Sequence, residues 1–303
     1  MNIIYRPAKP DDIPTAAKVF STALNDLYQR HGLGDQIVQS IQPNPYYAFC
    51  LQEEPEGFWV AESGSEIVGM AISWLRGSFW FLACLFISPT CQERGIGRHL
   101  LDRTLELGSQ IEITNRALIT FPFNRVSTAL YMRYGMYPRE PILRMVGDSA
   151  AARLAHKETE LFNYEKLPPT AASIRQLCSI DEPVLGIPLE RHHKHFLNAQ
   201  GGTCYLFRKE KNPEGYAYVW ANGHVGPLAV LSLNSFRGVM NTALGLAANQ
   251  ETPQVSVMIP GSNDQAVAVA LDHKLRIAVP FLLMLSQSFG NWDKYLFYSP
   301  TLM

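Results

Sequence analysis

The stretch from Phe81 to Leu107, FLACLFISPTCQERGIGRHLLDRTLEL, constrains this chain more than any other. It reads as an apolar strand, a short polar turn with two glycines, then an amphipathic helix. On a helical wheel started at Ile96, Leu100, Leu101, Leu105 and Leu107 fall in one half-circle, while Arg98, His99, Asp102, Arg103 and Glu106 fill the other. Gly95 and Gly97 leave successive backbone N–H groups unobstructed where the helix dipole is positive. Such a turn suits a phosphate or pyrophosphate. An ordinary strand–loop–helix connection has the same outline, and this stretch alone does not separate the two.

The detailed pattern excludes some alternatives. A dinucleotide fingerprint needs a third glycine where Leu100 stands, and no Gly-Lys-Ser/Thr follows to make a Walker loop. What remains, Gln92-Glu93-Arg94-Gly95-Ile96-Gly97, matches Gln/Arg-x-x-Gly-x-Gly/Ala. This resembles the acyl-coenzyme A pyrophosphate loop of the GNAT superfamily of N-acetyltransferases.

The flanks have the order that such a loop needs. Ile3 to Arg6 is a strand, and Pro10-Asp11-Asp12 caps a helix from Ile13 to about Leu27. Leu24 to Tyr47 is rich in Gly and Pro and reads as loop. Phe58–Glu62 and Ile67–Leu75 form a hairpin, and Trp80–Ser88 continues the meander. Ala117 to Phe121 is a short apolar run fit for a buried strand. Asn124 then caps a helix that stops at Gly135, and Pro141 to Val146 closes the segment as a strand. The expected class is α/β, a mixed sheet with helices on both faces.

A second motif, Asn124-Arg-Val-Ser-Thr-Ala-Leu130-Tyr131-Met-Arg-Tyr134-Gly135, resembles the family's Asn-x-x-Ala-x-x-Leu-Tyr-x-x-x-Gly-Phe, with Ser127 for alanine and Met136 for phenylalanine. The resemblance covers about residues 1–148. Elements of residues 151–303 repeat the same order, and Asn263-Asp-Gln-Ala266 echoes Asn124. The expectation is two tandem GNAT-like copies, 1–150 carrying the acetyl-CoA loop and 151–303 degenerate. In the second copy the corresponding turn, Leu233 to Gly238, lacks the glycine spacing, and no Leu-Tyr follows Asn263.

Composition narrows the class further. Lys plus Arg number 26 against 27 acids in 303 residues, a balance that argues against a dedicated nucleic-acid binder. The N-terminus lacks a signal core, and the apolar run Ile277–Leu285 is broken by Pro280, so no membrane partner is expected. Five scattered cysteines without a Cys-x-x-Cys pair fit reduced thiols in the cytoplasm. Homodimerisation is left open.

The resemblance implies the site. Main-chain amides of Gln92, Glu93, Arg94, Gly95, Ile96 and Gly97, with Arg98, would hold the pyrophosphate of acetyl-CoA. Cys84, Leu85 and Phe86 would pair by main chain with its pantetheine arm, Asn124 would also bind the cofactor, and the Tyr131 hydroxyl would protonate the leaving sulfur. The implied activity is N-acetyl transfer to a small amine by direct attack, an acyltransferase reaction. The alternative is a non-catalytic acyl-CoA sensor. Glu62 and His31 are candidate bases between which the residues do not decide. Arg191 to His195 is expected to be a solvated helix face rather than a metal site, because flanking cations oppose a dication. Cys84 is expected to be an inert buried thiol, and Trp74, Phe79, Trp80 and Phe81 to be core.

Overall fold

The computed structural model describes residues 2–34, 38, 45–106, 111–155 and 162–303. The chain divides into two compact units, residues 1–137 with 285–287, and residues 138–284 with 288–303. Of the stretch expected to be loop, residues 35–37 and 39–44, together with Leu107 and Leu161, lie outside the described residues, while its two ends are helical, to Arg30 and from Pro45.

The first unit begins with β1 (Ile3–Pro7) and α1 (Ile13–Arg30), followed by α2 (Pro45–Glu53) and the meander β2 (Phe58–Ser63), β3 (Glu66–Arg76) and β4 (Phe79–Ile87). Then come α3 (Ile96–Leu105), β5 (Asn115–Thr120) and α4 (Arg125–Arg133). The strands lie in the order β1-β2-β3-β4-β5, antiparallel except for the parallel pair β4–β5. Arg6 and the Lys9 N–H both bind the Asp12 carboxylate just before α1, and the Arg6 guanidinium holds that carboxyl below its usual range. Ile96 and Leu100 of α3 bury against Ala61, Val68, Ala71 and Cys91, the packing that the apolar wheel face predicts. Thr104 is buried with them, its carbonyl accepting from the Trp80 indole at 3.1 Å. Segment 285–287 runs beside β5: the Ser286 N–H donates to the Arg116 carbonyl and the Arg116 N–H to Ser286 Oγ, each at 2.8 Å.

The second unit holds β6 (Tyr137–Asp148), α5 (Ser149–Ala155), β7 (Asn163–Lys166), α6 (Ala171–Leu185), α7 (Glu190–Asn198), β8 (Gly202–Lys209), β9 (Asn212–Trp220) and β10 (His224–Val230). It continues through α8 (Leu233–Ala248), β11 (Gln254–Pro260), α9 (Asp264–Asp272), β12 (Arg276–Leu285) and β13 (Tyr295–Leu296). Its strand order is β12-β6-β11-β10-β9-β8-β7, with β13 on β10. Strand β6, which in sequence closes the first half, pairs with β11 from Ile142↔Pro260 to Asp148↔Gln254. By contacts the first unit runs to Tyr137, so nearly all of β6 belongs to the second.

The histidine run departs from expectation. His192 and His193 are buried, not solvated. Leu189, His192, His193 and Phe196 recur at i, i+3, i+4 and i+7, so the helix turns both histidines inward with its apolar stripe. His193 Nε2 meets Asp181 Oδ2 at 2.6 Å and Nδ1 meets the Tyr218 hydroxyl at 3.0 Å. The Tyr216 hydroxyl donates to the other Asp181 oxygen at 2.6 Å, which completes a buried polar network.

Candidate active site

β4 and β5 pair in parallel from Phe79↔Asn115 to Leu82↔Leu118, and the register ends there although β4 runs on to Ile87. At the same level the β3–β4 register shifts between Ile72↔Cys84 and Ser73↔Leu82, leaving Ala83 as an extra residue. A bulge of this kind bends and twists the strand that carries it. The end of β4, Cys84 to Ile87, thus departs from β5 and a wedge-shaped cleft opens between them. Leu85 and Ile87 pack into the α3-side core, while Phe86 meets Phe20 of α1 with ring centroids 4.7 Å apart. Their side chains are committed to the two faces of the sheet, so β4 offers the cleft its main chain.

The glycine loop follows directly. The Gln92 side chain donates to the Ile87 carbonyl at 3.1 Å, tying the loop to the strand end. Glu93 (φ 63°) and Gly95 (φ 79°) adopt left-handed backbone, an alternation that makes consecutive N–H groups converge into an anion-binding concavity. α3 opens on Gly95 with no side chain capping it. A Cβ at position 97 would meet only Ile87 at 3.8 Å, ordinary contact, so the fold's interior does not demand glycine there. What it provides is clearance on the outer side. Arg94 donates to the Thr90 carbonyl at 3.4 Å. The His99 ring lies 3.0 Å from the Gly95 carbonyl and stacks on Tyr5. Arg98 hydrogen-bonds the Tyr134 hydroxyl, which itself donates to Asp102, so a residue following α4 is clamped onto α3.

On the other arm, the Asn124 side chain accepts from the Ser127 N–H at 3.3 Å and starts α4. Tyr131 is buried one turn further on. Burial pushes its hydroxyl well above the usual tyrosine range, the Ser127 side chain opposes that by hydrogen bonding, and the nearby Cys84 thiol adds to it. Tyr131 and the divergence point of β4 are therefore neighbours. Cys84 is itself buried and pushed far up, as an inert thiol should be.

The two candidate bases separate. Glu62 is held by Arg6 Nε at 2.7 Å on the β1–β2 edge, committed to an ion pair. His31 stands at the end of α1 against Phe123, with ring centroids 4.8 Å apart. The sequence did not single out a series of aromatic contacts along α1: Phe20 with Phe86, Tyr28 with Phe121, and Phe121 stacked on Phe123, the ring that His31 meets. The eight-residue spacing of Phe20 and Tyr28 on α1 is the signal that could have found half of that group.

The second unit repeats the wedge and closes it. β10 and β11 pair in parallel only at His224↔Ser256 and Val225↔Val257, and the β9–β10 register shifts between Val225 and Leu228. Into the opening runs β13, pairing Leu228↔Leu296 and Ala229↔Tyr295, and the Phe297 N–H donates to the Met258 carbonyl at 3.1 Å. A Cβ on Gly226 would stand 2.4 Å from the Phe297 carbonyl oxygen, so the close approach requires glycine. Leu233 to Gly238, expected to be the loop, is already the first turns of α8, and only Leu231 and Ser232 separate it from β10. Ser235 Oγ donates to the Glu214 carboxylate at 2.6 Å, which puts a negative side chain at that helix start.

Residues 24–136 match the family model described as Acetyltransferase (GNAT) family. None of the curated proteins matches the chain in sequence at a significant level. Among solved structures, a Pyrococcus horikoshii protein provisionally named an acetyltransferase superposes with a TM-score of 0.76 at 19% identity, over 99% of this chain and 96% of its own. A GCN5-related N-acetyltransferase from Sphaerobacter thermophilus gives 0.65 at 12% identity, covering 96% and 98% of the two chains. A tandem GNAT protein from the clavulanic acid biosynthesis pathway gives 0.61 at 15%, covering 96% and 99%.

Proposed function

Because the chain carries a GNAT acetyltransferase domain and has, along nearly its whole length, the fold of tandem GNAT proteins, we propose that its first half moves an acetyl group from acetyl-CoA to a primary amine by direct attack in a ternary complex. The observation that carries this reading is the joining of three parts in one unit: a cleft opened by the Ala83 bulge, a side-chain-free helix start at Gly95, and Tyr131 beside Cys84. The residues fit the cosubstrate. The loop from Gln92 to Gly97 supplies converging N–H groups for a pyrophosphate, and the edge of β4 beyond Leu82 supplies main-chain groups for an extended amide-bearing arm, as an added strand would use them.

The thioester supplies the activated carbonyl. The protein's own work is placement, which can remove ~7–11 kcal/mol of barrier when two reactants are held in line. A backbone N–H at the end of β4 serves the developing oxyanion. Tyr131, kept protonated by burial, is an O–H donor to the departing sulfur. The amine nitrogen forms the new bond to the carbonyl carbon, the C–S pair leaves with sulfur, and the amine proton passes to water. The second half acts as scaffold, since its cleft holds β13 and its helix start faces Glu214. Isothermal titration with acetyl-CoA tests the reading: one site per chain supports it, and no binding refutes it. Thiol release with an amine panel separates this enzyme from an acyl-CoA sensor, which would bind without turnover.

A further inference from the structure

The helices α4 and α9 start in the same way, one in each unit. In α4 the Asn124 side chain accepts from the Ser127 N–H at 3.3 Å, and in α9 the Asn263 side chain accepts from the Ala266 N–H at 2.9 Å. Both helices run for nine residues. The third and seventh residues after the asparagine differ: Ser127 and Tyr131 in the first unit, Ala266 and Ala270 in the second. Ala266 and Ala270 are fully buried, so a helix of this start packs well without either hydroxyl. The serine–tyrosine pair is therefore not required by the fold of the helix.

Positions four apart share a helix face, and a long side chain leans back over the turn before it. Tyr131 thus lies over Ser127, and the two side chains are hydrogen-bonded. The neighbouring Thr128 shows the usual alternative, its hydroxyl donating back to the Asn124 carbonyl at 2.9 Å. Ser127 is half-buried and Tyr131 buried, with the Cys84 thiol near the phenol. The direction of the bond follows from its effect. It draws the phenol's pKa down against burial, which a donor to the phenolic oxygen does and an acceptor of the phenol proton does not. With that oxygen accepting from Ser127, the phenol's own proton is left to point elsewhere.

We propose that Ser127 is a positioning residue for the acid step: its hydroxyl donates to the Tyr131 oxygen, turns the phenol proton toward the departing sulfur and stabilises the phenolate left behind. This rests on the acetyl-transfer reading above and adds a second residue to it. N–C forms and C–S breaks, with the C–S pair leaving on sulfur. Sulfur takes the Tyr131 proton, the amine gives its proton to water, and the phenolate regains one from water.

The test uses the full chain and reads thiol release with saturating acetyl-CoA and the amine that turns over fastest. Ser127→Ala, which gives α4 the residue that α9 carries, should lower kcat about tenfold and leave acetyl-CoA affinity and amine KM unchanged. Ser127→Thr keeps a hydroxyl and should recover to within about threefold of wild type. In a Tyr131→Phe background the same Ser127→Ala change should cost nothing further, because the oxygen it serves is gone. An equal loss in both backgrounds, an unchanged kcat, an effect on KM alone, or Ala and Thr variants alike overturns the proposal while Tyr131 keeps its role. If Tyr131→Phe turns over like wild type, or no amine is acetylated, the acid reading falls and this one with it.

Discussion

The two clefts of this molecule begin alike and end differently. Each starts as a pair of parallel strands that separate next to a register shift, after Leu82↔Leu118 in the first unit and after Val225↔Val257 in the second. Strands pulled apart present backbone groups that need partners. The second unit answers with its own chain, as β13 supplies a strand where the first unit keeps an opening. The loops differ in the same sense. Residues 88–95 stand between β4 and α3, while only Leu231 and Ser232 stand between β10 and α8. One topology thus leaves the wedge open or seals it with a strand, according to what the chain places there.

The largest expected effect breaks the first cleft. Gly95→Glu puts a carboxylate and a Cβ on a left-handed residue at the helix start, and should weaken acetyl-CoA binding by roughly a hundredfold or more by calorimetry. Wild-type-like binding would erase the distinction between the clefts. Leu296→Ala attacks the seal of the second. It should cost about 2–5 kcal/mol of stability in denaturant unfolding, with acetyl-CoA affinity unaltered. A second equivalent site appearing in that variant would show the plug to be the sole barrier there.

Tyr131→Phe should lower kcat by about a hundredfold with little change in acetyl-CoA affinity. Unchanged turnover would remove Tyr131 from its role. His224 tests the seal by pH. Its Nε2–H donates to the Tyr298 carbonyl at 2.8 Å and its Nδ1 lies 3.0 Å from Ser256 Oγ, while burial pushes its pKa down to about 4. A depressed value means the folded state prefers the neutral ring. The stability is complete above the unfolded value near 6.5 and is lost as pH falls towards 4. The Tm of the wild type should drop over that window, and His224→Gln should flatten the drop. The smallest effect is expected at the clamp. Tyr134→Phe removes one hydroxyl between Arg98 and Asp102 and should weaken acetyl-CoA binding severalfold, about 1 kcal/mol.

Much of the fold was legible because its signals are local. Gly95 and Gly97, the apolar face of α3, and Asn124 capping α4 are each set within a few residues. The histidine run misled because flanking charge at Arg191 and Lys194 outweighed the stripe Leu189–His192–His193–Phe196, and the partners that satisfy His193 lie on α6 and β9. β13 was illegible, since two residues carry no period and their strand character comes wholly from the gap they enter.

The sequence by itself determined that a paired-glycine turn joins a buried strand to an amphipathic helix, and that a tyrosine follows at motif spacing, because backbone freedom and periodicity are local properties. Only the tertiary structure decided that β4 leaves β5 at Ala83, that Tyr131 stands beside Cys84, and that one wedge stays open while the other is filled. Those outcomes depend on backbone groups far apart in the chain finding partners across a sheet, and no local pattern encodes which partner arrives.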